Sequence, residues 1–75
     1  MPRTRNKEID QKLGQRVRSL RRSKDMTQRA MAEKLDVTNT LIQAYESGRI
    51  RLSVSTLAEL AKVLGVTLGE MVEGL

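Results

Sequence analysis

Apolar residues along the chain recur at intervals of three and four positions, a spacing that predicts helices rather than strands. The longest stripe lies on one face of residues 7–23, with most of the basic residues on the other faces; it consists of Ile9, Leu13, Val17 and Leu20. Shorter stripes follow over residues 28–35, 39–46, 54–64 and 68–75. The pattern predicts an all-α fold, a compact bundle of five short helices without a sheet.

Capping residues mark the ends of these predicted helices. A hydroxyl residue stands just before each helix after the first, where its oxygen can accept a free backbone N–H: Thr27, Thr38, Ser53 and Thr67. Thr67 and Glu70 also have the spacing of a capping box. Gly48 and Gly65 follow the third and fourth helices and favour left-handed helix ends.

The second and third predicted helices are separated only by Asp36-Val37-Thr38. A linker this short prevents antiparallel packing along the full helix length, so the pair must cross steeply, as in a helix-turn-helix. Ala32 provides the small residue that such a crossing needs. Apolar anchors under the turn and the third helix are Val37, Ile42 and Tyr45.

The outward side of the third helix is predicted to carry uncharged hydrogen-bonding groups. Its members are Thr38, Asn39, Thr40, Gln43, Ala44 and Ser47. Glu46 is the one formal charge in residues 38–47. A face that is only solvated more often carries Glu, Lys and Arg, whereas amides and hydroxyls can bond to base edges in the major groove. The face therefore indicates recognition of double-stranded DNA.

Composition narrows the function further. The chain has 75 residues, enough for one domain, and we expect no separate effector-binding module within it. It contains neither Cys nor His, which excludes disulfides, thiolate zinc sites and imidazole catalysis. We therefore expect no enzyme activity, no cofactor and no metal. The apolar runs are also too short to cross a membrane.

Positive charge is concentrated near the start of the chain. The net charge is +5, yet residues 1–24 carry nine bases against two acids, and residues 25–75 carry five bases against seven acids. We expect residues 1–6 to form a flexible basic arm whose Arg3 and Arg5 contact DNA, ahead of a helical domain over residues 7–75. The alternatives are a disordered tail and a solvated helix face. Four arginines of the first helix cannot all face DNA, and some are expected either to serve only solubility or to pair with acids such as Asp25.

The segments Thr27-Gln28 through Tyr45-Glu46-Ser47-Gly48 and Leu57-Ala58-Glu59-Leu60 through Leu64-Gly65-Val66 resemble the XRE family of regulators. This is the lambda repressor/Cro type of helix-turn-helix, and the resemblance runs from about Leu13 to Val72. It implies a lambda repressor-like DNA-binding domain of five helices, usually dimeric, whose third helix enters the major groove.

The resemblance also implies roles for individual residues. Base contacts are expected from Thr38, Asn39, Thr40, Gln43 and Ala44. Phosphate contacts are expected from Gln28, Ser47 and Arg49, with Arg3, Arg5 and Arg16 among the basic residues. The last apolar stripe either covers the core or forms a homodimer interface through Leu68, Met71, Val72 and Leu75.

Three positions depart from the family pattern. Asp36 stands where the turn normally has Gly, and we expect it to take the left-handed conformation that Asp tolerates. Leu52 replaces a frequent Pro after the third helix. Ala44 replaces a longer polar residue, which leaves one base contact unassigned.

These observations predict a cytoplasmic, sequence-specific transcriptional regulator, a repressor that binds an inverted-repeat operator as a homodimer. The alternative is an antitoxin-like module of the same fold that binds a protein partner, such as a toxin or an anti-repressor, and regulates its own synthesis through DNA. RNA binding is disfavoured because the chain has one Tyr and no other aromatic residue to stack on bases.

Overall fold

The computed structural model describes residues 7–75 and places five α-helices in them. They are α1 (Lys7–Ser23), α2 (Gln28–Leu35), α3 (Asn39–Ser47), α4 (Val54–Leu64) and α5 (Leu68–Val72). These residues contain no strand, so the predicted all-α architecture is confirmed. The proposed basic arm of residues 1–6, with Arg3 and Arg5, lies outside the described residues. None of the described helices is long and apolar enough to span a membrane.

The helix ends follow the capping signals of the sequence. Each of the four predicted caps accepts the backbone N–H three residues further on: Thr27, Thr38, Ser53 and Thr67. The capping box of Thr67 and Glu70 is present. The helices α2, α3 and α4 each end in a left-handed residue, at Asp36 (φ 58°), Gly48 (φ 78°) and Gly65 (φ 71°). The expected conformation of Asp36 is thus confirmed.

All five helices contribute to one hydrophobic core, in which α1 and α2 both pack against α3, and α4 and α5 close the other side. The largest fully buried side chains come one from each helix: Val17, Met31, Ile42, Leu60 and Met71. Leu52, in the loop between α3 and α4, is also buried. The core thus forms one continuous cluster that holds α3 from two sides.

Ile9 corrects the predicted apolar stripe of α1, because 44% of its surface is exposed. The buried position in this first turn belongs instead to Asp10, which is 5% exposed. The core-facing stripe of α1 begins one turn later, at Leu13 and Gly14.

The backbones of α1 and α3 approach closely at Gly14. A Cβ atom at this position would lie 2.4 Å from the Tyr45 carbonyl oxygen and 2.6 Å from that of Glu46. A second approach occurs at Gly48, where a Cβ would lie 2.8 Å from the Cα of Gln11. All three distances are shorter than real Cβ contacts allow, so only glycine permits α1 to lie against the second half of α3.

Candidate nucleic-acid interface

The solvent-facing side of α3 presents amides and hydroxyls. The exposed residues of this surface, which we call the reading face, are Thr38, Asn39, Thr40, Gln43 and Ser47. The Thr38 oxygen is engaged as the helix cap, since it accepts the Leu41 N–H at 3.1 Å. The amide side chains of Asn39 and Gln43 can each offer one donor and one acceptor to a base edge.

Two sequence-based expectations about this face are wrong. Ala44 is only 7% exposed, so its methyl group does not belong to the reading face. Glu46, expected to place a formal charge on the same surface, is also 7% exposed. The cause is that α3 packs against both α1 and α2, which makes its buried arc wider than a single apolar stripe. The reading face consequently carries no formal charge.

The Glu46 carboxylate forms a buried ion pair with Arg21 of α1. Arg21 Nε donates to Glu46 Oε2 at 2.6 Å and Arg21 Nη2 donates to Glu46 Oε1 at 3.0 Å. A third bond runs from Arg21 Nη1 to the carbonyl oxygen of Met26, at 2.8 Å. The hydrogen bonds to Glu46 raise the pKa of Arg21 above its ordinary value, although burial opposes this shift. The pair fixes α1, α3 and the loop before α2 to one another.

Gln28, the first residue of α2, extends this network. Its Nε2 donates to Glu46 Oε1 at 3.0 Å, and its side chain is half-buried. Gln28 therefore braces α3 from the start of α2. The remaining polar atoms of its amide group are not used by this bond, so a phosphate contact by Gln28 stays a prediction.

Sequence reasoning missed the Arg21–Glu46 pair, and named Asp25 as an acid for these arginines. A signal was present nevertheless. Arg21 follows Val17 by four positions and Glu46 follows Ile42 by four, so each charge lies on the apolar face of its helix. Opposite charges on two apolar faces indicate a buried pair.

An open groove of about 440 Å³ lies between the start of α1 and the end of α3. It is lined by Lys7, Gln11, Ser47, Gly48 and Arg49. Ser47 and Arg49 are exposed, at the edge of the reading face, whereas Lys7 and Gln11 were not predicted as part of the site. The general basic charge of the first helix was the only sequence signal for Lys7, and the uncharged Gln11 had none. The groove combines two cations with an amide and a hydroxyl, a suitable set for an anionic oxygen.

Arg16, predicted to contact phosphate, bonds within the protein. Its Nη1 donates to the Glu70 carbonyl oxygen and its Nη2 to the Glu73 carbonyl oxygen, each at 2.6 Å. Both terminal nitrogens are thus engaged within the protein at the end of α5, and the phosphate contact expected of Arg16 stays a prediction.

The residues expected at a dimer interface separate into two groups. Met71 is fully buried and belongs to the core, so its predicted place in an interface is wrong. The remaining three are apolar and partly exposed: Leu68 (39%), Val72 (41%) and Leu75 (46%). We call these three the C-terminal apolar face.

Comparison with known proteins agrees with this geometry. The sequence model of the helix-turn-helix family HTH_3 matches residues 17–71. An uncharacterised HTH-type transcriptional regulator of Rickettsia prowazekii is 37% identical over 67 residues, which are 89% of this chain and 52% of that protein. The chain thus spans about half the length of that relative.

Two solved structures share the fold. The clp gene regulator ClgR from C. glutamicum superimposes with a TM-score of 0.81 and 30% identity, covering 84% of this chain and 82% of that one. The DNA-binding domain of BldD gives a TM-score of 0.83 and 27% identity, with coverages of 91% and 99%. The chain therefore belongs to the XRE-type helix-turn-helix family of DNA-binding transcriptional regulators.

Proposed function

We propose that the protein recognises a specific DNA sequence by inserting α3 into the major groove of double-stranded DNA. The observation that carries this proposal is the reading face, an exposed, uncharged set of amides and hydroxyls on a helix held by a buried ion pair. A solvent-facing helix without this task gains solubility from charged residues, and this face has none. The buried network keeps the helix in one orientation, which base reading requires.

Within this face, each side chain has a chemically suitable target. Asn39 and Gln43 can pair with the N6 and N7 edge of adenine, and the Thr40 methyl group can contact the thymine methyl. Thr38 caps α3 at the helix end that is proposed to approach the bases, and its methyl group can make an apolar contact there. Ala44 has no part in this proposal because it is buried.

Phosphate contacts would hold the helix in register. We assign them to Gln28, Ser47 and Arg49, and we add Lys7 and Gln11 because they line the same groove as Ser47 and Arg49. The start of α2 supports this assignment, since free N–H groups and the helix dipole favour an anion there. Arg3 and Arg5 of the arm are proposed as further contacts.

The working unit is proposed to be a homodimer. One module of this size covers a few base pairs, and useful affinity requires two half-sites about 34 Å apart, one helical turn of DNA. The C-terminal apolar face has three partly exposed aliphatic side chains within a segment of eight residues, and a second copy of the chain can pack against them. A dimer bound to an inverted repeat that overlaps a promoter would block transcription. We therefore propose that the protein acts as a repressor in the cytoplasm.

The base-reading assignment is tested by alanine substitution at Asn39 and Gln43. After selection of the preferred site from random DNA, Asn39→Ala and Gln43→Ala should each weaken specific binding by about 1–3 kcal/mol while non-specific binding persists. Gln28→Ala is the matched comparison and should weaken binding to all sequences alike. Equal losses on specific and non-specific DNA for Asn39→Ala and Gln43→Ala would contradict base reading.

The dimer and the direction of regulation need separate measurements. Selected DNA should contain an inverted repeat, and sedimentation should show a dimer at micromolar concentration. A reporter whose promoter overlaps the site should fall in activity when the protein is produced. A single unrepeated footprint would contradict the homodimer, and a rise in reporter activity would contradict repression.

A further inference from the structure

We propose that Arg16 is the positioning residue of the dimer interface, because it fixes the end of α5 and thereby the C-terminal apolar face. This inference rests on the homodimer proposed above. It assigns to α1 a role in dimerisation that is independent of DNA contact.

The helix α5 is too short to be stable alone. It has five residues, whereas isolated helices below about 12 residues are marginal in water. Its position therefore depends on anchors: the capping box of Thr67 and Glu70 at its start, and the fully buried Met71 in its middle. Neither anchor acts beyond Val72, where the last carbonyl groups have no partner within the helix.

Arg16 supplies the missing anchor. Its two terminal nitrogens bridge the Glu70 and Glu73 carbonyl oxygens, both at 2.6 Å. A cation at this end is also favoured by the helix dipole. The planar guanidinium holds both acceptors at once, which the single ammonium group of a lysine cannot do with the same geometry.

The guanidinium also lies beneath the turn that follows α5. Gly74 has a left-handed backbone (φ 80°), and a Cβ there would lie 3.9 Å from Arg16 Nη2. The turn is closed by a bond from the Leu75 N–H to the Val72 carbonyl oxygen, at 3.2 Å. This turn places Leu75 near Val72, so two of the three residues of the C-terminal apolar face depend on the segment that Arg16 holds.

The test compares Arg16→Gln and Arg16→Lys with the matched control Arg18→Gln. Arg18 is exposed on the same helix, and its substitution removes the same charge. Sedimentation equilibrium without DNA should show that Arg16→Gln raises the dimer Kd about tenfold, or about 1.4 kcal/mol. Arg16→Lys should give a smaller increase, and Arg18→Gln should leave the dimer Kd unchanged.

A second measurement separates positioning from DNA contact. Arg16→Gln should bind half-site DNA as the wild type does, with an unchanged salt dependence, and should lose affinity only on the full inverted repeat. Urea denaturation shows whether each variant is folded. If Arg16→Gln does not fold, Arg16→Lys, which retains the positive charge, is used for the comparison.

Three results would overturn the inference. An unchanged dimer Kd in Arg16→Gln would do so while leaving the homodimer intact. If Arg16→Gln instead lost affinity for half-site DNA, with a salt dependence of log K smaller by about 0.9, Arg16 would be a phosphate contact. A wild type that stays monomeric would reject the homodimer itself, and this inference with it.

Discussion

Replacing Arg21 by Met leaves the Glu46 carboxylate buried without its cation. Arg21 and Glu46 are each 7% exposed, and Arg21 is the cation that pairs with this carboxylate within residues 7–75. Arg21→Met removes both bonds to Glu46 and the bond to the Met26 carbonyl, whereas Gln28 continues to donate to the carboxylate. Met is an unbranched side chain that fills most of the space of the Arg21 stem, so a large cavity is not part of its cost.

The expected loss is large compared with the stability of a small domain. Removing one partner of a buried ion pair costs about 3–5 kcal/mol. A chain of this length is stable by about 4–11 kcal/mol at the usual values per residue. The melting temperature should fall by about 12 °C or more, since about 1 kcal/mol corresponds to about 4–8 °C. The double variant Arg21→Met/Glu46→Leu should recover much of the loss because no unpaired charge remains.

Urea denaturation followed by circular dichroism measures these differences. Because the pKa of Arg21 is raised, its contribution is complete below the unfolded-state pKa and is lost only at higher pH, so neutral buffer is suitable. Lys12→Gln is the control, since it breaks the exposed pair with Glu8 (3.3 Å) and should cost less than about 1 kcal/mol. A loss below about 1 kcal/mol in Arg21→Met, or a double variant less stable than the single one, would refute the reasoning.

Two further predictions concern positions on α1 and at the helix ends. Lys7→Gln should reduce the slope of log K for DNA binding against log salt concentration by about 0.9, whereas the control Lys12→Gln should leave this slope unchanged. Equal slopes for the two variants would show that Lys7 does not contact phosphate in the groove. Gly65→Ala should cost about 1 kcal/mol, because the left-handed backbone is strained but the space is open. Gly48→Ala should cost more, because its Cβ would also meet Gln11, and similar midpoints in urea would contradict this close contact.

The fold was predictable because local signals decide it. Four hydroxyl caps and two glycines fix the ends of the helices, and the three-residue turn at Asp36 fixes the crossing of α2 and α3. Each of these signals acts over a few residues, so periodicity and capping are sufficient to find them. The exposed members of the reading face follow from the same periodicity.

The contacts that sequence reasoning missed are those between distant segments. Arg21 and Glu46 are 25 positions apart, and Arg16 bonds to residues 54 and 57 positions away. Basic residues on one helix look alike until the fold shows that Arg16 and Arg21 bond to residues on distant segments. Ala44 was misplaced for a related reason, since the width of the buried arc depends on how many helices pack against α3.

The contact at Gly14 makes the packing of α3 against α1 independent of the side chains of the reading face. At this contact the backbone of α1 packs directly against backbone carbonyl groups of α3, and no side chain on the outer surface of α3 takes part. Asn39, Thr40 and Gln43 are exposed and lie outside the hydrophobic core. Exchanging these three residues should therefore give a stably folded protein with a new target, which makes the domain a suitable scaffold for redesigned DNA specificity.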